Sequence, residues 1–143
     1  MKTGYILAGA LALGAAAAAY QFTSPGSVDA QTPAAAGAPL AQVKLPETLS
    51  ANAQIGKNGY DAVCADCHGE NADGRKGMGP PLVHKIYEPS HHGDESFQLA
   101  VQRGVRAHHW PFGNMPAQQG LTRADVSAIV AYVREMQRAN GIN

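Results

Sequence analysis

The chain has 143 residues, room for one domain of ordinary size plus an extension. Its 11 basic and 11 acidic residues cancel, which argues against a strongly basic face for nucleic acid. Arg75, Lys76, Lys85, Arg103 and Arg106 fall in one stretch, but Asp73, Glu88, Asp94 and Glu95 are interleaved with them, so the stretch reads as a mixed, solvated face.

Residues 1–22 begin with Lys2 and continue as an apolar, alanine-rich run, "MKTGYILAGALALGAAAAAY" and beyond. This is the pattern of a signal peptide or an N-terminal membrane anchor. Val28-Asp29-Ala30 offers small residues at a spacing compatible with cleavage, whereas an uncleaved anchor needs ~20 apolar residues and Gly4 to Phe22 nearly supplies them. Either reading puts the remainder outside the cytoplasm, periplasmic and either soluble or tethered to the inner membrane. Residues 23–48 are rich in Pro, Ala and Gly with few large apolar side chains, the composition of a linker. The folded domain is expected over 49–143.

Residues 50–63 predict a helix with Ser50 as N-cap and Ile55, Tyr60 and Val63 on its apolar face. Gly56 sits mid-helix, where glycine costs ~1 kcal/mol against alanine; a helix keeps such a residue where another element approaches closely. The helix runs into "CADCHG", a C-x-x-C-H motif built from Cys64, Cys67 and His68. Three chemistries compete for it. A dithiol redox pair uses the two cysteines but has no need of the histidine. A zinc site needs four ligands, and no second pair completes one. Covalent haem attachment uses all three residues: two thioethers from Cys64 and Cys67, and the His68 imidazole as an iron ligand. That last reading requires a sixth ligand, usually a distant Met or His.

From His68 to Gly93 the chain is rich in Gly and Pro and reads as a wrapping loop. Residues 94–104 predict a short helix capped by Asp94, with Phe97 and Val101 toward the core and Gly104 as its stop. Residues 122–138 predict the clearest helix. Thr122 and Asp125 have capping-box spacing, and Val126, Ile129, Val130, Val133 and Met136 form one apolar stripe. Arg134 and Arg138 suit the C-terminal end of its dipole, and Asn140-Gly141 can end it. Ile129 and Tyr132 are candidates to cross the first helix at Gly56. No alternating strand pattern is present.

Within residues 56–69 the run G-x-x-x-Y-x-x-x-C-A-D-C-H-G, with "GPPL" at 79–82 and "GNMPA" at 113–117, resembles a class I c-type cytochrome: monohaem, His/Met-ligated, of the bacterial periplasmic type. The resemblance covers about residues 50 to 139. It implies an all-α fold in which the N- and C-terminal helices cross and loops wrap one covalently attached haem c. It also implies a role as an electron carrier between periplasmic or membrane redox partners, without substrate turnover. Cys64 and Cys67 would attach the haem, with His68 and Met115 as the iron ligands. Pro80 would set a backbone carbonyl to accept the proximal histidine N–H. Of the other methionines, Met136 lies on the core stripe and Met78 in a glycine-rich loop.

Trp110, the single tryptophan, is a candidate to cover the haem or to bond a propionate through its indole N–H; core packing is the plain alternative. Arg103 and Arg106 could also face propionates, or simply solvent. The loops carry more histidine than a generic carrier needs. His91-His92 and His108-His109 bracket the short helix, and if the pairs converge they could hold copper or zinc; otherwise they face solvent. The competing functional class is a haem enzyme, or an electron-delivering subunit linked to a copper or peroxide oxidoreductase.

Overall fold

The computed structural model describes residues 35–143. The signal or anchor segment at 1–22, the candidate cleavage site and the first part of the linker lie outside the described residues. Among the described residues four helices follow in the order α1 (Ala51–Val63), α2 (Ala65–His68), α3 (Asp94–Arg103) and α4 (Arg123–Ala139), with a 3₁₀ turn at Lys85–Tyr87. There is no strand among them, only two isolated bridges, Arg75 with Gly79 and Val105 with Met115. The all-α class is therefore the one observed. None of these helices is long and apolar enough to cross a membrane.

The α1 helix starts at its expected cap. Ser50 Oγ accepts from Ala53 N at 3.2 Å, and the Ser50 N–H and O–H both donate to the Glu135 carboxylate of α4, at 3.0 and 2.6 Å. The N-cap thus also ties two helices together. The buried face of α1 is Ala53, Gly56 and Tyr60, spaced three and four apart as one side of a helix requires. Ile55, expected on that face, is 64% exposed; one residue is about 100° of helical rotation, which turns it away from Gly56 and the partner helix.

Gly56 is where α1 and α4 cross. A Cβ there would lie 1.8 Å from Ala128 O and 2.8 Å from Ile129 N, so the two backbones are in direct contact. Next to the crossing, the Tyr60 and Tyr132 rings pack tilted at 5.2 Å, and the Tyr60 hydroxyl donates to Gly69 O at 2.8 Å. Burial pushes both phenols above their ordinary range, Tyr132 to about 12, so both remain neutral donors.

The α4 helix opens with a complete capping box. Asp125 N donates to Thr122 Oγ1 at 3.2 Å and Thr122 N donates to Asp125 Oδ2 at 2.8 Å. The five residues of the expected apolar stripe are all buried, and Gly141, at φ +73°, lies just past the end. Arg134 corrects the sequence reading. It does not face the helix end but is buried, 7% exposed. Its guanidinium donates to Asp94 Oδ1 at 2.9 Å, to the backbone carbonyls of Tyr87 and His92, and to Gln137 Oε1 at 2.7 Å, over the face of Phe97 at 5.0 Å. The loop that covers α4 carries carbonyls with no ladder to join, and a five-donor side chain satisfies them.

The α3 helix also differs at its start. Gly93 occupies the N-cap without a side-chain bond, because the Asp94 carboxylate is committed to Arg134. Phe97 packs against the core as expected and Val101 is half-buried, while Gln98 is buried and reaches Arg123 O and Ser127 Oγ of α4 at 3.0 and 3.1 Å. Gly104 ends the helix at φ +74° as expected. Residues 35–48, which read as linker by composition, lie bonded along the body. Leu40 and Ala41 N–H both donate to Asp73 O at 3.0 Å, Gly37 N to Lys76 O at 2.9 Å, and Asn140 pairs both ways with the Lys44 backbone.

Gly56→Ala has no room for its methyl and is expected to destabilise the protein by about 3 kcal/mol or more in denaturant unfolding. Gly77→Ala meets nothing within 4 Å and carries only a positive φ, so it is expected to cost about 1–2 kcal/mol. Equal costs at the two sites would refute a steric crossing.

Candidate functional site

Cys64 stands at the junction of two helices, C-cap of α1 and N-cap of α2. Its N–H bonds back to Tyr60 O at 2.7 Å, and its carbonyl accepts from Cys67 N at 3.2 Å and His68 N at 2.9 Å. One turn of helix therefore brings Cys64, Cys67 and His68 to the same side. Gly69 then takes φ +83°, and a Cβ there would fall 1.9 Å from Asp73 Oδ1; the chain turns away from the motif at a position only glycine fills.

Both cysteines are free, Cys64 half-buried and Cys67 exposed. Burial, and secondarily the neighbouring Cys67, pushes the Cys64 thiol up to about 11. A dithiol redox centre needs the opposite shift, toward a thiolate near neutral pH. The zinc alternative fails as well. Among the described residues the single group of three or more His, Cys, Asp or Glu side chains at metal-binding spacing is elsewhere, at His91, His92 and His109.

His68 Nδ1 lies 2.8 Å from Pro80 O. A carbonyl can only accept, so Nδ1 carries the proton and Nε2 is left with a free lone pair. Burial lowers the His68 pKa, only partly offset by the Pro80 bond; the neutral ring that results is the ligand form of histidine. The Pro80 carbonyl is held by close packing. A Cβ at Gly79 would lie 2.6 Å from Cys67 O, so the loop backbone runs against the motif helix, and Pro81 is fully buried.

Met115 is half-buried at the base of a loop closed by two backbone bonds, Val105 N to Met115 O at 2.9 Å and Met115 N to Val105 O at 3.0 Å. The competing methionines sort as their sequence surroundings suggest: Met136 is 1% exposed in the core and Met78 is 45% exposed. Trp110 is half-buried, edge-on to His84 at 5.1 Å and stacked with Phe112 at 6.0 Å. Its Nε1 is buried without a hydrogen-bond partner. The Tyr87 hydroxyl feels that N–H, though burial outweighs it and raises the Tyr87 pKa; the contact stays outside hydrogen-bond geometry. Arg103 and Arg106 are exposed.

These features fit a group held by the two thiols and His68 that also offers an acceptor to the Trp110 N–H. Two uncrosslinked thiols stand one turn apart beside a neutral imidazole with a free Nε2. An orphaned indole N–H needs an acceptor, since a buried unpaired donor costs about 1–3 kcal/mol. Val101, Val105, Phe112 and Met115 are half-buried, while Leu82 and Phe97 pack against the helical core.

The two histidine pairs converge. His108 and His109 rings lie 4.2 Å apart, His91 and His92 4.7 Å, and His109 lies 5.4 Å from both His91 and His92. Local desolvation, then the like charges that His108, His92 and His91 would carry, lowers the His109 pKa. His84 stands apart, accepting from Ile86 N at 3.2 Å.

The residues that position this region escaped the sequence reading. Gln137 is fully buried and donates to Leu82 O at 2.9 Å and Tyr87 O at 3.0 Å, clamping the loop that follows Pro80-Pro81. The available signal was a pair of long polar residues, Arg134 and Gln137, at i, i+3 beside the apolar stripe.

The family model described as Cytochrome c matches residues 53–137, more than half of the chain and nearly all of its helical body. In that family Cys64 and Cys67 fit the covalent attachment of haem c.

Replacing Pro80 by Ala keeps the carbonyl but releases the φ that the ring fixes. The His68 Nδ1 proton is expected to exchange with solvent about tenfold faster, followed by NMR. Unchanged exchange would mean that Gly79 and Pro81 hold the carbonyl without help from Pro80.

Proposed function

The chain belongs to the cytochrome c family, and on that premise we propose that it is a monohaem, His/Met-ligated one-electron carrier of the class I bacterial type. It works outside the cytoplasm between periplasmic or membrane redox proteins, soluble or held at the inner membrane by its N-terminus. The observation that carries this reading is the Cys64-x-x-Cys67-His68 turn with the His68 Nδ1–H committed to Pro80 O. That bond orients the ring and makes the opposite nitrogen a better donor.

When bound, the haem supplies an iron that takes up and releases single electrons. The chain's own residues do the rest. Cys64 and Cys67 would fix the group by thioethers, and His68 Nε2 and the Met115 sulfur would bind its iron. A thioether is a soft donor that favours the ferrous state and raises the potential relative to bis-histidine ligation. Trp110 Nε1 would donate to a propionate, giving its buried N–H the acceptor it lacks. The family match speaks for a carrier rather than an enzyme. Export rests on the basic-then-apolar pattern of residues 1–22.

In ferric protein the weak band near the red end of the spectrum, typical of sulfur ligation, is expected to vanish in Met115→Ala, with a fall in reduction potential on the order of 0.1 V or more. Persistence of the band would identify another ligand. Mass spectrometry of the mature protein is expected to find one covalent haem and an N-terminus near Ala30; a retained Met1 would favour the anchor, and a haem-free mass would overturn the carrier reading.

A further inference from the structure

Electron transfer through a single haem leaves four histidines without a task. His91 and His92 precede α3, His108 and His109 follow it, and the fold returns both pairs to one place. One ligand nitrogen from each of His91, His92 and His109 lies within 4.8 Å of the other two, with His91 and His109 exposed and His92 half-buried. His108 stacks beside them, its ring 4.2 Å from His109 and 6.3 Å from His92.

The hydrogen bonds around these rings match those of metal-binding histidine. His92 Nδ1 lies 2.6 Å from Ile86 O, and His108 Nδ1 lies 2.8 Å from Arg106 O. Each carbonyl takes a ring proton, which fixes the tautomer and leaves Nε2 as a lone-pair donor; a ligating histidine commonly gives its other N–H to such a carbonyl. The backbone beneath is also fixed. Arg134 holds His92 O, and the other loop is closed by the Val105–Met115 pair and by Ala107 N donating to Asn114 Oδ1 at 2.9 Å.

Apart from these ring contacts and the two carbonyl bonds, no hydrogen bond or ion pair among the described residues draws the four side chains together. Neutral imidazoles set lone pair against lone pair, and protonated ones set charge against charge. His91 and His109 are exposed and could turn into water. A cation at the centre accepts the lone pairs of the neutral rings and displaces the ring protons that compete with it. Tetrahedral ligands at about 2.0–2.1 Å from a metal stand about 3.4 Å from one another, a closure that side-chain rotation of two exposed rings supplies. An all-imidazole set excludes hard cations, which need oxygen, and suits copper and zinc.

We propose that His91, His92 and His109, with His108 beside them, form a surface site for one divalent transition-metal ion, Cu²⁺ in preference to Zn²⁺. The preference follows from the stability order of divalent metals at a nitrogen site. The site shares no residue with the Cys64–His68 motif; the four histidines are spare on the proposed carrier reading, but the metal binding itself can be read whether or not that reading holds.

The test is titration of the ferric holoprotein with Zn²⁺ and, separately, Cu²⁺ against a chromophoric chelator, with electron paramagnetic resonance of the copper arm. One ion per chain is expected at sub-micromolar Kd, copper at least about tenfold tighter than zinc, with superhyperfine splitting from at least three nitrogens. His91→Gln/His109→Gln removes two exposed side chains that bear no protein hydrogen bond, so the fold is kept while binding of both ions weakens about 100-fold. His92→Gln alone is expected to weaken binding about tenfold or more, and His84→Gln to leave it unchanged. Wild-type binding weaker than about 10 μM, or binding that survives the double substitution, would overturn the proposal.

Discussion

Everything else in the domain hangs on two backbones touching. At Gly56 the α1 helix approaches α4 so closely that Ala128 O and Ile129 N occupy the space a side chain would need. A contact of that kind cannot slide: it sets the distance between the helices and their rotation about their own axes. With the crossing fixed, Tyr60 meets Tyr132, and Ser50 meets Glu135. Tyr60 in turn bonds Gly69, the residue at which the chain leaves the motif. The attachment turn is thus gripped at both ends by the same helix pair, through Tyr60 O on Cys64 N and through the Tyr60 hydroxyl on Gly69.

Arg134 does for the loops what Gly56 does for the helices. Irregular backbone packed on a helix leaves carbonyls that must find donors or cost free energy. Arg134 supplies them to Tyr87 and His92, while Gln137 serves Leu82 and Tyr87. The Asp94 carboxylate is mostly exposed where it meets Arg134, so the ion pair itself contributes little. The carbonyl bonds matter more. They hold the segment between the Pro80 carbonyl and the histidine pair, whose only regular structure is the 3₁₀ turn at Lys85–Tyr87.

Features governed by local chemistry were legible in the sequence. The Ser50 cap, the Thr122/Asp125 box, the Gly104 stop and the C-x-x-C-H turn all depend on residues a few positions apart, and each forms as its spacing implies. Gly56 was legible for a different reason: a helix does not keep a mid-helix glycine without a close neighbour. What could not be read depends on tertiary neighbours. Ile55 is apolar, yet the crossing angle turns it to water. Asp94 has the right type and position for a cap, but a buried arginine forty residues away claims it. Residues 35–48 have linker composition, and they are laid down through backbone bonds to Asp73 and Lys76 that no side-chain pattern announces. The orphaned Trp110 N–H was visible only once the ring's surroundings were known.

On the proposed reading, the loop from Val105 to Met115 would serve two chemistries, a sulfur ligand at its base and a metal site at its tip. Its base is rigid. Val105 and Met115 exchange both backbone bonds, Gln118 N reaches back to Val101 O at 2.8 Å, and Gly104 packs so tightly that a Cβ would sit 2.5 Å from Met115 O. A thioether ligand binds weakly compared with imidazole or thiolate and relies on being held in position, and the base would do that for Met115. The tip's backbone is closed too, by Ala107 N donating to Asn114 Oδ1 at 2.9 Å, but its rings are open to solvent. His108 and His109 are exposed, and imidazoles that gather a metal from solution need access and rotational freedom. The bonds that fix Met115 are bonds of its backbone, so the exposed rings at the tip would be free to turn toward an ion without moving that backbone.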